Sequence, residues 1–96
     1  MAADKDIYKC AIAHYGEDMQ QNIAVEEMAE LTKEIIKHKR GADNKYNLLE
    51  EIADVYIMLE QLRIIYDISL IDMLEMRQYK IDRLFNRLQQ EHERVF

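Results

Sequence analysis

Apolar residues recur along this chain at intervals of three and four, and there is no proline and only Gly16 and Gly41 to interrupt them. That spacing predicts helices rather than strands. A first helix is expected from about Asp4 to Tyr15, with Ile7, Ala11 and His14 on one side and Gly16 closing it. A second is expected from about Glu17 to Lys39. Its main stripe, Ala24, Met28, Leu31 and Ile35, covers about 60° of the helix circumference. Glu27 lies at the edge of that stripe, with Glu30 and Glu34 further round on the same flank. The polar, glycine-bearing stretch 39–45 reads as a loop. A third helix is expected from about Tyr46 to Tyr66. Leu48, Ile52, Val55, Tyr56, Leu59 and Leu62 share one face, and Ile57, Met58, Ile64 and Ile65 point elsewhere. A helix apolar nearly all round is buried on several sides. Asp67-Ile68-Ser69 reads as a turn with Ser69 as N-cap and Asp72 three residues on. The last helix follows through Leu70, Met73, Leu74, Met76, Ile81, Leu84, Phe85 and Leu88. The expected fold is all-α: an antiparallel helical bundle of three long helices and a shorter leading one, in a single domain over residues 1–96.

Length and composition sharpen this in one respect. The apolar set is 49% of 96 residues, more than so short a chain can cover, since a domain of this size buries only about 60–65% of its surface. The surplus on the third helix predicts a homo-oligomer, most simply a two-fold dimer. No apolar run reaches bilayer length, and the Asp4/Lys5/Asp6 start has no signal-peptide pattern, so a cytoplasmic protein with no membrane partner is expected. The single cysteine, Cys10, excludes an internal disulfide and is expected as a small buried apolar residue. The net charge of −6, spread along the chain, argues against a nucleic-acid backbone as partner, and no helix has the basic composition of a base-reading element. A phosphate-bearing small molecule remains compatible if a metal supplies the positive charge.

Two acidic runs carry the candidate chemistry: Glu26-Glu27-Met28-Ala29-Glu30, followed by Leu31, and Glu50-Glu51-Ile52-Ala53-Asp54, followed by Val55. A single helical glutamate is ordinarily a solvated surface residue, and Glu17, Asp18, Glu91 and Glu93 fit that description. The central set differs because each run lies within dense apolar sequence. Glu27 and Glu30 share one helical face, as do Glu51 and Asp54. Two such helices packed antiparallel would bring four carboxylates to one point, where a cation must offset their repulsion. Hard oxygen ligands favour magnesium or manganese. None of His14, His38 and His92 follows a glutamate at the Glu-x-x-His spacing of di-iron bundles, and zinc would call for cysteine or histidine ligands. Metal-assisted hydrolysis of a phosphoanhydride is the chemistry such a site suits.

The combination Glu26-Glu27-x-x-Glu30-Leu31, a linker of about twenty residues, and Glu51-x-x-Asp54-Val55 resembles the MazG-like nucleotide pyrophosphohydrolases of the all-α NTP pyrophosphatase superfamily. The match covers about Gln20 to Leu62. The resemblance implies a MazG-like helical architecture, a homodimer or homotetramer, and hydrolysis of a nucleoside triphosphate to monophosphate and pyrophosphate. It implies Glu27, Glu30, Glu51 and Asp54 as magnesium ligands, with Glu26 completing the catalytic motif. Lys80, Arg83 and Arg87, on one face of the last helix, resemble the basic stretch with which the family meets the triphosphate. For Lys80, Arg83 and Arg87, i, i+4 pairing with neighbouring acids is an equal alternative, and Lys37 and Lys45 are lesser candidates for the phosphate role. Tyr46, Tyr56 and Tyr66 are expected in core packing ahead of stacking on a base, and His38 as a solvated or helix-capping residue. The resulting expectation is a magnesium-dependent NTP pyrophosphohydrolase that cleanses a nucleotide pool. The alternative is a non-enzymatic oligomerising adaptor or nucleotide-binding regulatory protein.

Overall fold

The computed structural model describes residues 3–91, so His92 and Glu93 lie outside the described residues. Among these the chain is all-helical: α1 (Asp4–Tyr15), α2 (Glu17–Lys39), α3 (Lys45–Ile65) and α4 (Leu70–Glu91). The breaks fall where the backbone chemistry places them. Gly16, at φ 93°, ends α1 and begins α2. Gly41, at φ 99°, ends α2 in a paired return: its N–H donates to the His38 carbonyl at 3.0 Å, and the Ala42 N–H to that of Lys37 at 3.1 Å. The end of α3 repeats the same motif without a glycine. Asp67 takes φ 54°, its N–H donating to the Ile64 carbonyl, and the Ile68 N–H donates to that of Arg63. Aspartate is one of the few side chains that tolerate this left-handed region. Ser69 caps α4 as expected, its Oγ accepting from the Asp72 N–H at 3.0 Å.

α2 and α3 form an antiparallel hairpin, and α1 folds back against both, with Ile12 buried between them. The hairpin seam runs in sevens. On α2 the seam runs through Gln20, Ala24, Glu27, Leu31 and Glu34, all buried or half-buried, with Gln21 and Ile23 half-buried beside it; facing them are Asn44, Leu48, Glu51, Val55, Met58 and Gln61. Spacing of this kind is that of two helices packed along a heptad seam. Here every seventh residue of the α2 seam is polar, so Gln20, Glu27 and Glu34 form three polar layers alternating with apolar ones at Ala24 and Leu31.

This seam is rotated by roughly 50° from the stripe read in the sequence, about half of one residue's turn. Ala24 and Leu31 belong to both, but Met28 and Ile35 are exposed and polar residues replace them. The apolar face expected for α3 likewise divides. Leu48 and Val55 turn inward, whereas Ile52, Tyr56 and Leu59 face out, Tyr56 being 71% exposed. Three further expectations are corrected. Tyr46, Tyr56 and Tyr66 are not core residues of the chain, Cys10 is exposed rather than buried, and α4 does not join a bundle. α4 has no packed interface with α1, α2 or α3 and contains no buried residue. Only Ile12, Ala24 and Met58 are buried hydrophobics among the described residues. No helix is long and apolar enough to cross a membrane among these residues.

Candidate metal centre

The middle polar layer of the hairpin is acidic. Glu27 comes from α2, one turn after Ala24 in the seam, and Glu51 and Asp54 come from the first half of α3. One ligand-type oxygen from each of these three residues lies within 4.8 Å of the others. Glu27 and Glu51 are half-buried and Asp54 is exposed, so the cluster sits at the edge of the seam with one side open to solvent.

Its electrostatics follow from like charges held in a partly dry place. Burial, then the charges of Asp54 and Glu51, raises the Glu27 carboxyl above its ordinary value. Glu51 is also raised, by burial and by the charges of Asp54 and Glu30, while a hydrogen bond from Glu27 pulls it the other way. Both shifts disfavour a full set of negative charges at this point. In addition, Glu51 Oε2 is buried with no hydrogen-bond partner. A buried carboxylate oxygen without a donor is costly. A divalent ion bound by oxygen ligands fits this donor set. It would give Glu51 Oε2 a partner and offset the three converging charges.

Other candidates occupy different positions. Glu30 is exposed and stands outside the three-residue cluster, though its charge is felt at Glu51. Glu26 is exposed on α2. Lys80, Arg83 and Arg87 are exposed on α4, with Lys80 Nζ 5.9 Å from the centre of the Tyr79 ring. Because α4 does not pack on the hairpin, packing within one chain does not carry these cations to the carboxylates. Lys37 pairs with Glu34 at 3.4 Å.

No family model matches this chain, and no curated protein or solved structure matches it either. The site therefore has to be argued from its own geometry.

Two polar layers flank the acidic one. At the open end of the hairpin, Gln20 Nε2 donates to Gln61 Oε1 at 2.7 Å, and Gln20 Oε1 is left buried without a partner. At the loop end, Asn44 Nδ2 donates to Glu34 Oε2 at 2.6 Å and to the Glu34 carbonyl at 3.0 Å. His38 Nδ1 lies 3.3 Å from Asn44 Oδ1. Asn44 stands at the N-cap of α3, yet it makes no cap with its side chain and reaches back to α2 instead. The bond from Asn44 is the main reason the buried Glu34 carboxyl is held below its ordinary value, with Lys37 adding to it. These two layers fix the register that sets Glu27 opposite Glu51 and Asp54. The sequence reading did not single out Gln20, Gln61 or Asn44. The signal was available in the seven-residue spacing of Gln20, Glu27 and Glu34, but only once the true seam was known.

Proposed function

We propose that this chain is a magnesium-dependent nucleoside triphosphate pyrophosphohydrolase that converts a (d)NTP and water to a (d)NMP and pyrophosphate. Manganese is the natural substitute ion. The observation that carries the reading is the convergence of Glu27, Glu51 and Asp54 from two helices, with a buried Glu51 oxygen lacking any donor. The paired motifs around these residues supply the resemblance to MazG-like enzymes, and an all-α hairpin is compatible with that architecture. Bound magnesium would supply polarisation of the phosphoryl oxygens and a more acidic water.

The chain's own residues would divide the work. Glu27, Glu51 and Asp54 would hold the ion, with Glu30 adding negative charge at the rim. Glu26 would order water from the exposed side. Lys80, Arg83 and Arg87 would neutralise the triphosphate, and since α4 stands away from its own hairpin, they would do so within a homodimer or homotetramer. Trimming of the nucleotide pool in the cytoplasm is the role such an activity would serve.

The test is a product assay across the eight common NTPs and dNTPs, with magnesium and with chelator. Magnesium-dependent monophosphate plus pyrophosphate supports the reading. Diphosphate plus orthophosphate would reject cleavage between the α and β phosphates. No turnover across the panel would favour the second reading, a non-enzymatic oligomerising adaptor, which is supported by the large apolar surface that α3 and α4 leave open. In that case the carboxylates would serve as salt-bridge partners for Lys80 and Arg83 between subunits.

A further inference from the structure

Positive charge gathers at one place in this acidic chain, away from the carboxylate cluster. A cavity of about 400 Å³ opens between α1, the end of α3 and the turn into α4. Lys5 and Lys9, one turn apart on α1, and Arg63 on α3 line it. Asp67 is the one acid in the lining, while Ile64, Ile68 and Leu70 give it an apolar wall. Three cations thus meet one acid there, in a chain whose net charge is −6.

The lysine charges are unspent. Among the described residues neither Lys5 nor Lys9 has an ion pair or a side-chain hydrogen bond, and Asp67 pairs with no cation. Arg63 is held in place. Its side chain is 13% exposed, with one guanidinium nitrogen donating to the Ile68 carbonyl at 2.9 Å and another to Glu60 at 3.2 Å. Its Nε is buried with no partner, so a fixed and incompletely satisfied cation forms part of the wall. The Ile68 N–H returns to the Arg63 carbonyl at 3.0 Å, which fixes the turn behind it. The start of α4 adds donors to this rigid side. Ser69 Oγ accepts from the Asp72 N–H and keeps its own hydrogen to donate. The Leu70 N–H precedes the first bond of α4, from the Met73 N–H to the Ser69 carbonyl.

We infer that this cavity binds a small phosphate monoester, its phosphate between Lys5, Lys9 and the start of α4 and its organic part against Ile64, Ile68 and Leu70. One carboxylate is too few to hold a divalent cation there. A phosphate dianion offers three terminal oxygens, enough to meet both ammonium groups and one α4 donor together, whereas a carboxylate offers two. The volume and the mixed lining are those of a pocket for a metabolite rather than for a bare ion. Arg63 keeps its bonds to Glu60 and Ile68 and contributes its charge to the wall. The site is separate from the metal centre: Arg63 follows Asp54 by nine residues of α3, about 14 Å of helix. Binding ties α1 to the start of α4, a helix with no packed interface to the other three.

Amide NMR titrations in chelator and phosphate-free buffer, at constant ionic strength, test this with phenyl phosphate, inorganic phosphate and phenol. Phenyl phosphate should give saturable shifts across residues 5–9 and 67–71, bind more tightly than inorganic phosphate and slow hydrogen exchange in the first turn of α4. Phenol should leave these amides unmoved. The double variant Lys5→Gln/Lys9→Gln changes two exposed side chains and should weaken phenyl phosphate by at least about tenfold. Lys39→Gln, which removes the same charge from an exposed position on α2, should leave the affinity unchanged. Shifts that never saturate, or an undiminished affinity in the double variant, overturn the inference. So does a saturable response centred on residues 80–87, or one that phenol reproduces. Equal affinity for inorganic phosphate overturns the contact with the organic part and leaves free phosphate as the ligand. Chelator is present throughout, so failure here is distinguishable from failure of the magnesium-dependent product assay.

Discussion

Gln20 and Gln61, forty-one residues apart, meet inside the α2–α3 hairpin through an amide hydrogen bond of 2.7 Å, and each is only 4% exposed. The bond is conspicuous in a chain with so few buried apolar side chains. It ties the open end of the hairpin, while Asn44 and Glu34 tie the loop end.

Removing one partner of a buried pair leaves the other with no donor or acceptor. Gln20→Leu and Gln61→Leu should each cost about 1–3 kcal/mol, and the double replacement should recover most of that loss. Urea unfolding at one fixed protein concentration, run as a double-mutant cycle, checks this. Additive losses would show that the two amides act independently.

At the loop end, Asn44→Ala should lower the melting temperature more than His38→Ala, because Asn44 makes two bonds to Glu34 and His38 only touches it through Asn44. The same variant should weaken magnesium binding, since the acidic layer depends on hairpin register. Thermal melts with and without magnesium measure both effects.

The acidic layer predicts an unusual pH response in metal-free protein. Glu27 and Glu51 have raised values in the folded chain, so their contribution is fully present below the unfolded carboxylate value of about 4.3 and is lost as pH rises through their folded values. Glu34 has a lowered value, so its contribution is present above about 4.3 and is lost as pH falls through its folded value. Metal-free protein should therefore gain stability as pH is lowered from neutral towards about 5 and lose it below about 4. Glu27→Gln should flatten the first limb and Glu34→Gln the second. Melting temperature against pH, with chelator present, is the measurement.

In the proposed site magnesium and protons would compete for the same oxygens. Magnesium should raise the melting temperature of the wild type more at pH 8 than at pH 6, and nucleotide should add to the shift. Glu51→Gln and Asp54→Asn should abolish the magnesium shift and reduce NTP turnover to background with unchanged far-ultraviolet circular dichroism. Without metal, Glu51→Gln should be more stable than wild type, since it removes one of the converging charges. An unaltered magnesium shift in both variants would place the ion elsewhere.

The helices themselves were legible in the chain. α1 and α2 have the expected limits, α3 lies one residue earlier than expected at each end, and Ser69 caps α4. Glycines, the polar loop and the N-cap act through local backbone chemistry, which does not depend on distant residues. The pairing of Glu27 with Glu51 and Asp54 was legible too, because helical spacing and a short connection constrain which faces an antiparallel hairpin can bring together. The seam was not. Met28 and Ile35 carry the apolar character of a core, yet Gln20, Glu27 and Glu34 take the inner positions.

Periodicity thus determined where this chain is helical and which carboxylates share a face. Only the tertiary structure decided which of several apolar faces turns inward. On helices as apolar as α2 and α3, more than one rotation buries a similar hydrocarbon area. Hydrogen bonds that exist only across the assembled hairpin, Gln20 to Gln61 and Asn44 to Glu34, belong to the rotation observed and offset the cost of burying these polar groups, and no local pattern in the sequence encodes them.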